Sequence, residues 1–263
     1  MKLGFIGCGN MAQAIMKGIL GKGLYAKEEI IAADHSEEAL KRAEAELGVS
    51  TTTDNCQAAQ ADIILLAVKP FHFKEVIPEI SGEVTKDKLV ISIAAGQTIE
   101  NVEKLFDKPI SLVRVMPNTP ALVGEGAAGI CHNENVTEET LHKAVEIFEC
   151  LGMAEVISEK MIDAVIGVSG SSPAYVFMFI EAMADAAVAD GMPRAQAYRF
   201  AAQAVLGSAK MVLETGKHPG ELKDMVCSPA GTTIEAVRVL EEKGLRSAVF
   251  EAQKACVEKA KNM

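Results

Sequence analysis

Near its N-terminus this 263-residue chain carries Gly7-Cys8-Gly9-Asn10-Met11-Ala12, directly after the apolar run at residues 3–6. In such a G-x-G-x-x-A order the first glycine makes a tight turn. The second lets a pyrophosphate approach the main chain, and the small third residue lets a helix pack on a strand. A helix beginning there turns free N–H groups and the positive end of its dipole toward phosphates. The motif is weak by itself, and an ordinary strand-to-helix turn is the alternative. The strand–turn–helix context is what favours a dinucleotide. A second group follows at Ala33-Asp34-His35-Ser36. An acidic residue at this distance from the glycine turn accepts hydrogen bonds from the adenosine ribose and repels a 2′-phosphate, which favours NAD. Asp34 fits that place, and His35 stands where no Arg follows. Asp34 also suits the N-cap of a helix beginning near Glu37, and the two roles are compatible.

The elements that must position these groups alternate through the first half. Residues 3–6, 29–33, 63–68, 89–93 and 110–115 read as strands, and the short continuous apolar runs at 63–68 and 89–93 read as strands buried on both faces. Helical patterns fill the gaps at 11–20, 37–47, 71–80 and 99–106. Runs at 126–131 and 154–157 flank a further helix at 138–150 and extend the sheet. Alternating strands and helices predict a doubly wound, mainly parallel α/β sheet. Ala67-Val68-Lys69-Pro70, Ala94-Ala95-Gly96 and Met116-Pro117-Asn118-Thr119-Pro120 close three of the strands. Strand ends at the carboxyl edge of such a sheet line the ligand crevice. Lys69 there would face the diphosphate or the nicotinamide side, or stand as a solvated terminus, and Asn118 would offer a side-chain donor toward the nicotinamide.

After residue 158 the strand signal stops and helix follows helix. Ser172 is expected to cap a helix whose first residue is Pro173 and which ends at Gly191. Pro193, Pro219 and Thr232 or Thr233 begin three more, and a last helix runs from about Leu245. The expected division is 1–158 for a dinucleotide domain and 159–263 for an all-helical one. Residues 174–180 are apolar nearly all round, which demands burial and favours an intertwined homodimer.

Composition excludes several classes. A net charge of −10 disfavours nucleic acid and an anionic membrane surface. No apolar run is expected to reach a membrane span, and the N-terminus reads as a strand, not a signal peptide. The six cysteines make no C-x-x-C pair and match no zinc spacing; with the five scattered histidines they predict no metal site. Free thiols fit a reducing cytoplasm.

Two helical-half segments, read with these turns, carry a resemblance along the whole chain. They are Gly167-Val168-Ser169-Gly170-Ser171-Ser172-Pro173-Ala174-Tyr175 and His218 to Ile234, which ends Ser-Pro-Ala-Gly-Thr-Thr-Ile. The chain resembles the pyrroline-5-carboxylate reductases, which make L-proline from a cyclic imine. The resemblance implies a Rossmann domain joined to a helical dimerisation domain, and dimers often assembled into decamers. It also implies an active site between the cofactor domain of one subunit and the helical domain of its partner. The cofactor would be NADPH or NADH. Gly7 to Ala12 match the pyrophosphate turn, Asn55 an adenosine-side asparagine, Ala67 to Pro70 the A-V-K-P turn, and Ala94-Ala95 the nicotinamide-side alanines. On the substrate side the matches are Glu159, Ser171, Gly231, Thr232 and Thr233, with Thr233 bonded to the substrate nitrogen. Ser172 and Ala230 replace glycines common in the family, and the Asp34–His35 pair lacks the Arg associated with NADP.

The chemistry suits these residues. A carbonyl reductase protonates an alkoxide and recruits His, Lys or Tyr as acid. A cyclic imine can arrive protonated, so a positioned hydroxyl suffices. A carboxylate can rest on N–H groups at the helix start after Gly231, where the backbone permits close approach. Tyr175 and Lys223 are read as packing and solvated groups. A hydroxyacid dehydrogenase of the 6-phosphogluconate type shares the layout but carries a catalytic Lys where Gly167 to Tyr175 has none. A non-enzymatic dinucleotide sensor would not need Gly231 or Thr233.

Overall fold

In the computed structural model, which describes residues 1–262, eight strands share one sheet. They are β1 (Leu3–Ile6), β2 (Ile30–Ala33), β3 (Ser50–Thr52), β4 (Ile63–Leu66), β5 (Leu89–Ser92), β6 (Ser111–Met116), β7 (Gly126–His132) and β8 (Gly152–Val156). Their order is β3-β2-β1-β4-β5-β6-β7-β8. Every pair is parallel except β6 with β7. β1, β2, β4 and β5 are buried at each residue, which is why their sequences are apolar without alternation. β3 went unpredicted because it is short, polar and on the sheet edge.

Helices cover both faces: α1 (Asn10–Lys22), α2 (Glu37–Leu47), α3 (Asn55–Ala59), α4 (Phe73–Ile80), α5 (Ile99–Phe106), α6 (Glu138–Glu149) and the short α7 (Ile162–Val165). Side chains alternate across a strand, so β1 sends Leu3 and Phe5 into one core and Ile6 into the other. The first core holds Ile15 and Ile19 of α1 and Phe148 of α6. The second holds Phe73 and Ile77 of α4 and Phe106 of α5. Strand order reverses between β1 and β4, the switch point at which an open α/β sheet forms its ligand crevice.

The first compact unit comprises Met1–Gly170 together with the chain end from Val257, and the second is Ser171–Cys256. Residues 159–170 thus pack with the sheet, although the strand signal ends at 158. Ile162 is buried in the second core and Ile166 packs on it. A π-helical turn at Ile166–Gly170 closes this unit.

The second unit is all helix: α8 (Ser172–Ala189), α9 (Arg194–Thr215), α10 (Pro219–Val226), α11 (Thr232–Glu242) and α12 (Leu245–Lys261), whose last turn joins the first unit. Ser171, not Ser172, holds the cap position of α8, and its side chain makes no capping bond. α8 and α9 pair through small residues, with Ala184, Ala197 and Ala201 buried between helices. The all-round apolar character of α8 does not lead to burial within one chain. Phe177 and Met178 stay well exposed, as do Phe200 and Leu213 on α9. Glu159–Ala189 is also long and apolar enough to cross a membrane by length and composition, contrary to the sequence expectation.

Candidate active site

The glycine turn links β1 to α1. Gly7 has φ +99°, and a Cβ there would lie 2.8 Å from the backbone of Ala67 and Val68 at the end of β4. Only glycine fits this close crossing. Gly9 differs: a Cβ on it would meet nothing within 4 Å, because it faces the open crevice. It also holds the N-cap position of α1 with no side-chain cap, leaving the first-turn N–H groups without a side-chain acceptor. A backbone bared toward a crevice at a helix N-terminus fits a dinucleotide pyrophosphate.

Three side chains hold this turn from behind. Asp34 Oδ2 accepts a hydrogen bond from Cys8 N (2.7 Å), and Gln13 Nε2 donates to Cys8 O (2.8 Å). Arg42 Nε then donates to Gln13 Oε1 (2.9 Å), and its Nη2 donates to Asn10 Oδ1 (3.2 Å). The Cys8 thiol is buried, donating to Ala39 O and accepting from Gln13 Nε2 (3.8 Å each), and burial pushes it up from the usual thiol range. Met11 and Ala12, both in the first turn of α1, line the crevice, Ala12 almost wholly buried.

At one end the crevice is walled by Asp34, His35, Thr53, Asn55, His72 and Glu75, with Glu79 nearby. Asp34 Oδ1 accepts from Ser36 N (2.8 Å), so each carboxylate oxygen anchors backbone on one side. The cap of α2 is Ser36, whose hydroxyl accepts from Ala39 N, and not Asp34 as the sequence suggested. His35 Nδ1 lies 3.3 Å from Asp34 Oδ1. Asn55 opens α3 and donates to Glu79 Oε2 (2.9 Å). Three carboxylates stand around this end, and Lys69 on the rim has no ion-pair partner among the described residues.

The other end is walled by Pro70, Ala94, Ala95, Met116, Pro117 and Thr119. Gly9, Ala67, Val68 and Lys69 line both ends, so the two form one crevice along the carboxyl edge. The small side chains of Ala94 and Ala95 leave room for a flat ring. Asn118 is buried: its Nδ2 donates to Ser169 O (3.0 Å) and its Oδ1 accepts from Ala127 N (2.8 Å). Both ends of its amide hold the turn and are not presented to the crevice.

The Gly231 turn lies in the second unit. Gly231 N donates to Ser228 O (3.0 Å), closing a turn over Pro229 and Ala230. Ala230 has φ +56°, a left-handed conformation that favours glycine. A Cβ on Gly231 would come 2.3 Å from Ser228 Oγ. Gly231 is the N-cap of α11 and supplies no side-chain cap, so the first N–H groups of α11 remain open. Thr232 is exposed and Thr233 half-buried on the first turn. Among the described residues the Thr233 hydroxyl has no hydrogen-bond partner. Ser171 is half-buried and its Oγ accepts from Cys256 Sγ (3.0 Å).

Glu159 lies in the first unit and is engaged there. Its Oε1 accepts from Ile99 N and from Arg114 Nη1, each at 2.8 Å. Beside this pair, burial first and the Glu159 charge second push the Cys131 thiol up to about 11. All six cysteines are free. Asp54, Cys56 and Glu79 bring potential metal-ligand atoms within 4.8 Å of one another, a grouping invisible in linear spacing. Cys56 N donates to Asp54 Oδ1, its thiol donates to Glu79 O, and Asn55 donates to Glu79 Oε2, so the group forms a polar seam between α3 and α4.

Thr53, His72, Glu75 and Glu79 were not picked out from sequence. The last three fall at helical spacing along the 71–80 segment, a periodicity that places them on one side of it.

Comparison with known proteins adds three kinds of likeness. A family model described as pyrroline-5-carboxylate reductase dimerisation matches residues 159–263, and one described as NADP oxidoreductase coenzyme F420-dependent matches residues 2–96. The pyrroline-5-carboxylate reductase of Escherichia coli (strain K12) is 55% identical over 263 residues, spanning 100% of this chain and 98% of that protein. The solved structure of a pyrroline-5-carboxylate reductase from Coxiella burnetii is 40% identical with a TM-score of 0.91, covering 98% of this chain and 96% of that one. That of Plasmodium falciparum pyrroline carboxylate reductase, with NADP bound, is 34% identical with a TM-score of 0.90, covering 100% and 97%.

Proposed function

The chain belongs to the pyrroline-5-carboxylate reductase family, and from that premise we propose that Gly231, Thr232 and Thr233 hold the substrate while the crevice of the first unit holds the cofactor. The protein is an NAD(P)-dependent oxidoreductase that reduces Δ1-pyrroline-5-carboxylate to L-proline. The observation that carries the site reading is the Thr233 hydroxyl, unpartnered beside an uncapped helix start.

When bound, the reduced nicotinamide supplies a hydride for the imine carbon. The chain's own work is binding and orientation. Open N–H groups at the start of α11 take the substrate carboxylate, favoured by the helix dipole. The Thr233 hydroxyl bonds the ring nitrogen and fixes the face presented for reduction. A protonated imine becomes an amine, so no alkoxide forms and no strong acid is needed. Holding the reacting atoms in a near-attack geometry is the main contribution. Ser171 and Glu159 are read as flanking the substrate, Ser171 through its hydroxyl and Glu159 through its free oxygen.

The finer cofactor reading is NADH. Asp34, Glu75 and Glu79 surround the adenosine end, and a 2′-phosphate would meet three carboxylates there. Asn55, Ala67, Val68, Pro70 and Asn118 complete the cofactor side, Asn118 through the turn it holds.

The helical unit is proposed to pair with a second copy, which covers the apolar faces of α8 and α9 that one chain leaves open. Dimers then assemble into a decamer, and the protein works in the cytoplasm. Oxidation of NADH or NADPH with pyrroline-5-carboxylate, beside 3-hydroxyacid and ketoacid controls, tests the reaction. Substituting Thr233→Ala tests the site: kcat/KM for the imine drops well beyond any loss of cofactor affinity, and an unchanged rate moves the substrate elsewhere.

A further inference from the structure

His72 takes no part in the site as read so far, yet it stands in the wall of the crevice. It ends the short helical turn Pro70–His72 that follows β4, and its N–H donates to Lys69 O (2.9 Å), which fixes its backbone. Its ring is backed by Phe71, with centroids 4.3 Å apart. Across the crevice it faces the ring of His35, 6.2 Å away and inclined by 55°. His35 directly follows Asp34, and Thr53 and Asn55 line the same end.

We propose that His72 is a cofactor-binding residue, and that its imidazole and that of His35 receive the adenine ring between them. The inference rests on the dinucleotide reading of this crevice. Three features argue for it. First, the two rings stand on the segments that follow β2 and β4, the two neighbours of β1 in the sheet, so they face each other across the glycine turn that follows β1. Second, they sit beside Asp34, whose carboxylate marks the ribose position, so a base attached to that ribose lies within reach of both. Third, their spacing nearly suits a flat aromatic guest. Two stacking layers of about 3.5 Å need roughly 7 Å between the outer rings. The side chain of His35 is 90% exposed and held by its contact with Asp34, so it can swing outward by the small difference and turn through the 55° that separates the two ring planes. His72, whose backbone is held by Lys69 O, supplies the other wall.

An imidazole pair on adenine reads the base and not the nicotinamide. Its removal must therefore act on ligands that carry adenosine and spare those that lack it. The test is calorimetric titration of the purified protein and of His72→Ala with NADH and with ADP-ribose. The expected result is a dissociation constant about three- to tenfold higher for both ligands, the size of one lost aromatic stack. His72→Phe keeps a flat ring and restores affinity to within about twofold. Turnover supported by reduced nicotinamide mononucleotide, relative to that supported by NADH, rises in His72→Ala by the factor lost in NADH affinity. Unaltered ADP-ribose binding in His72→Ala overturns the proposal. So does a parallel fall with the mononucleotide, which would mean that the whole crevice had been disturbed. Failure of the wild-type protein to reduce the imine would defeat the functional reading while leaving the titrations to judge His72.

Discussion

Glu159 and Arg114 form an ion pair of 2.8 Å in which the guanidinium is almost wholly buried and the carboxylate two-thirds so. The same carboxylate oxygen accepts the backbone N–H of Ile99, the first residue of α5. A single side chain therefore ties β6, the start of α5 and the turn leading to α7. Negative charge at a helix N-terminus is favoured by its dipole, so the two contacts reinforce each other. Glu159 is proposed to lie near the substrate, and its second oxygen remains for that purpose.

Removing the Glu159 charge strands the Arg114 cation in the core. Breaking a buried pair from one side is costly, whereas exchanging both partners for apolar groups is far less so. With Glu159 partly solvated, Glu159→Ala is expected to lose about 2 kcal/mol of unfolding free energy in urea. Arg114→Met in the same background recovers most of it. A single substitution with no loss, or a double one no better than the single, removes the pair from the account of stability.

Cys131 on β7 gives a stability term with a definite sign. Burial raises its thiol from 9.0 to about 11 in the folded protein. The folded state thus retains a proton that the unfolded chain releases between these values. This contribution is complete below about pH 9 and disappears as pH rises to about 11. Its upper limit is about 2–3 kcal/mol. Urea titrations at rising alkaline pH should show the wild type losing stability faster than Cys131→Ala across that window. Parallel slopes would mean that the thiol does not contribute.

Ala230 sits at φ +56° in the turn that presents Gly231 and Thr233. Ala230→Gly relieves strain of about 1 kcal/mol but loosens the unfolded chain by a similar amount, so stability stays within about 1 kcal/mol of wild type. Ala230→Val adds a β-branched side chain where the left-handed region tolerates it poorly. The turn then opens, and the KM for the imine rises roughly five- to thirtyfold, while the KM for NADH moves little. An equal rise in both constants would show that the turn does not belong to the substrate.

What was legible in the sequence was local. The G-x-G-x-x-A turn is set by contiguous residues, and continuous apolar runs mark buried parallel strands, so β1, β4 and β5 could be read with their helices. β3 lacked that signal because an edge strand need not be apolar. Partners distant in sequence were not legible. Asn118 reads as a donor beside the nicotinamide, but Ser169 O and Ala127 N occupy its amide. Glu159 reads as a substrate contact, yet Arg114 and Ile99 reach it through the fold. The bare apolar surface of α8 was legible only as a demand for burial, which one chain does not satisfy.

Asp34 joins cofactor choice to the shape of the turn. Its two oxygens hold Cys8 N and Ser36 N, so the carboxylate positions the glycine backbone and, in the proposed cofactor site, also sets the charge beside the ribose. Asp34→Ser removes a negative charge while leaving a small hydroxyl acceptor. Affinity for either cofactor declines because Cys8 N is held less firmly. NADH loses an additional ribose contact, whereas NADPH gains from the missing repulsion. The ratio of kcat/KM for NADPH to that for NADH is therefore expected to rise by about tenfold, equivalent to about 1.4 kcal/mol. Asp34→Asn, which keeps an acceptor for Cys8 N but not the charge, separates the two effects: the ratio shifts as in Asp34→Ser, with less loss for both cofactors. If neither substitution moves the ratio, the carboxylate serves the turn alone and cofactor choice lies with other residues of the crevice.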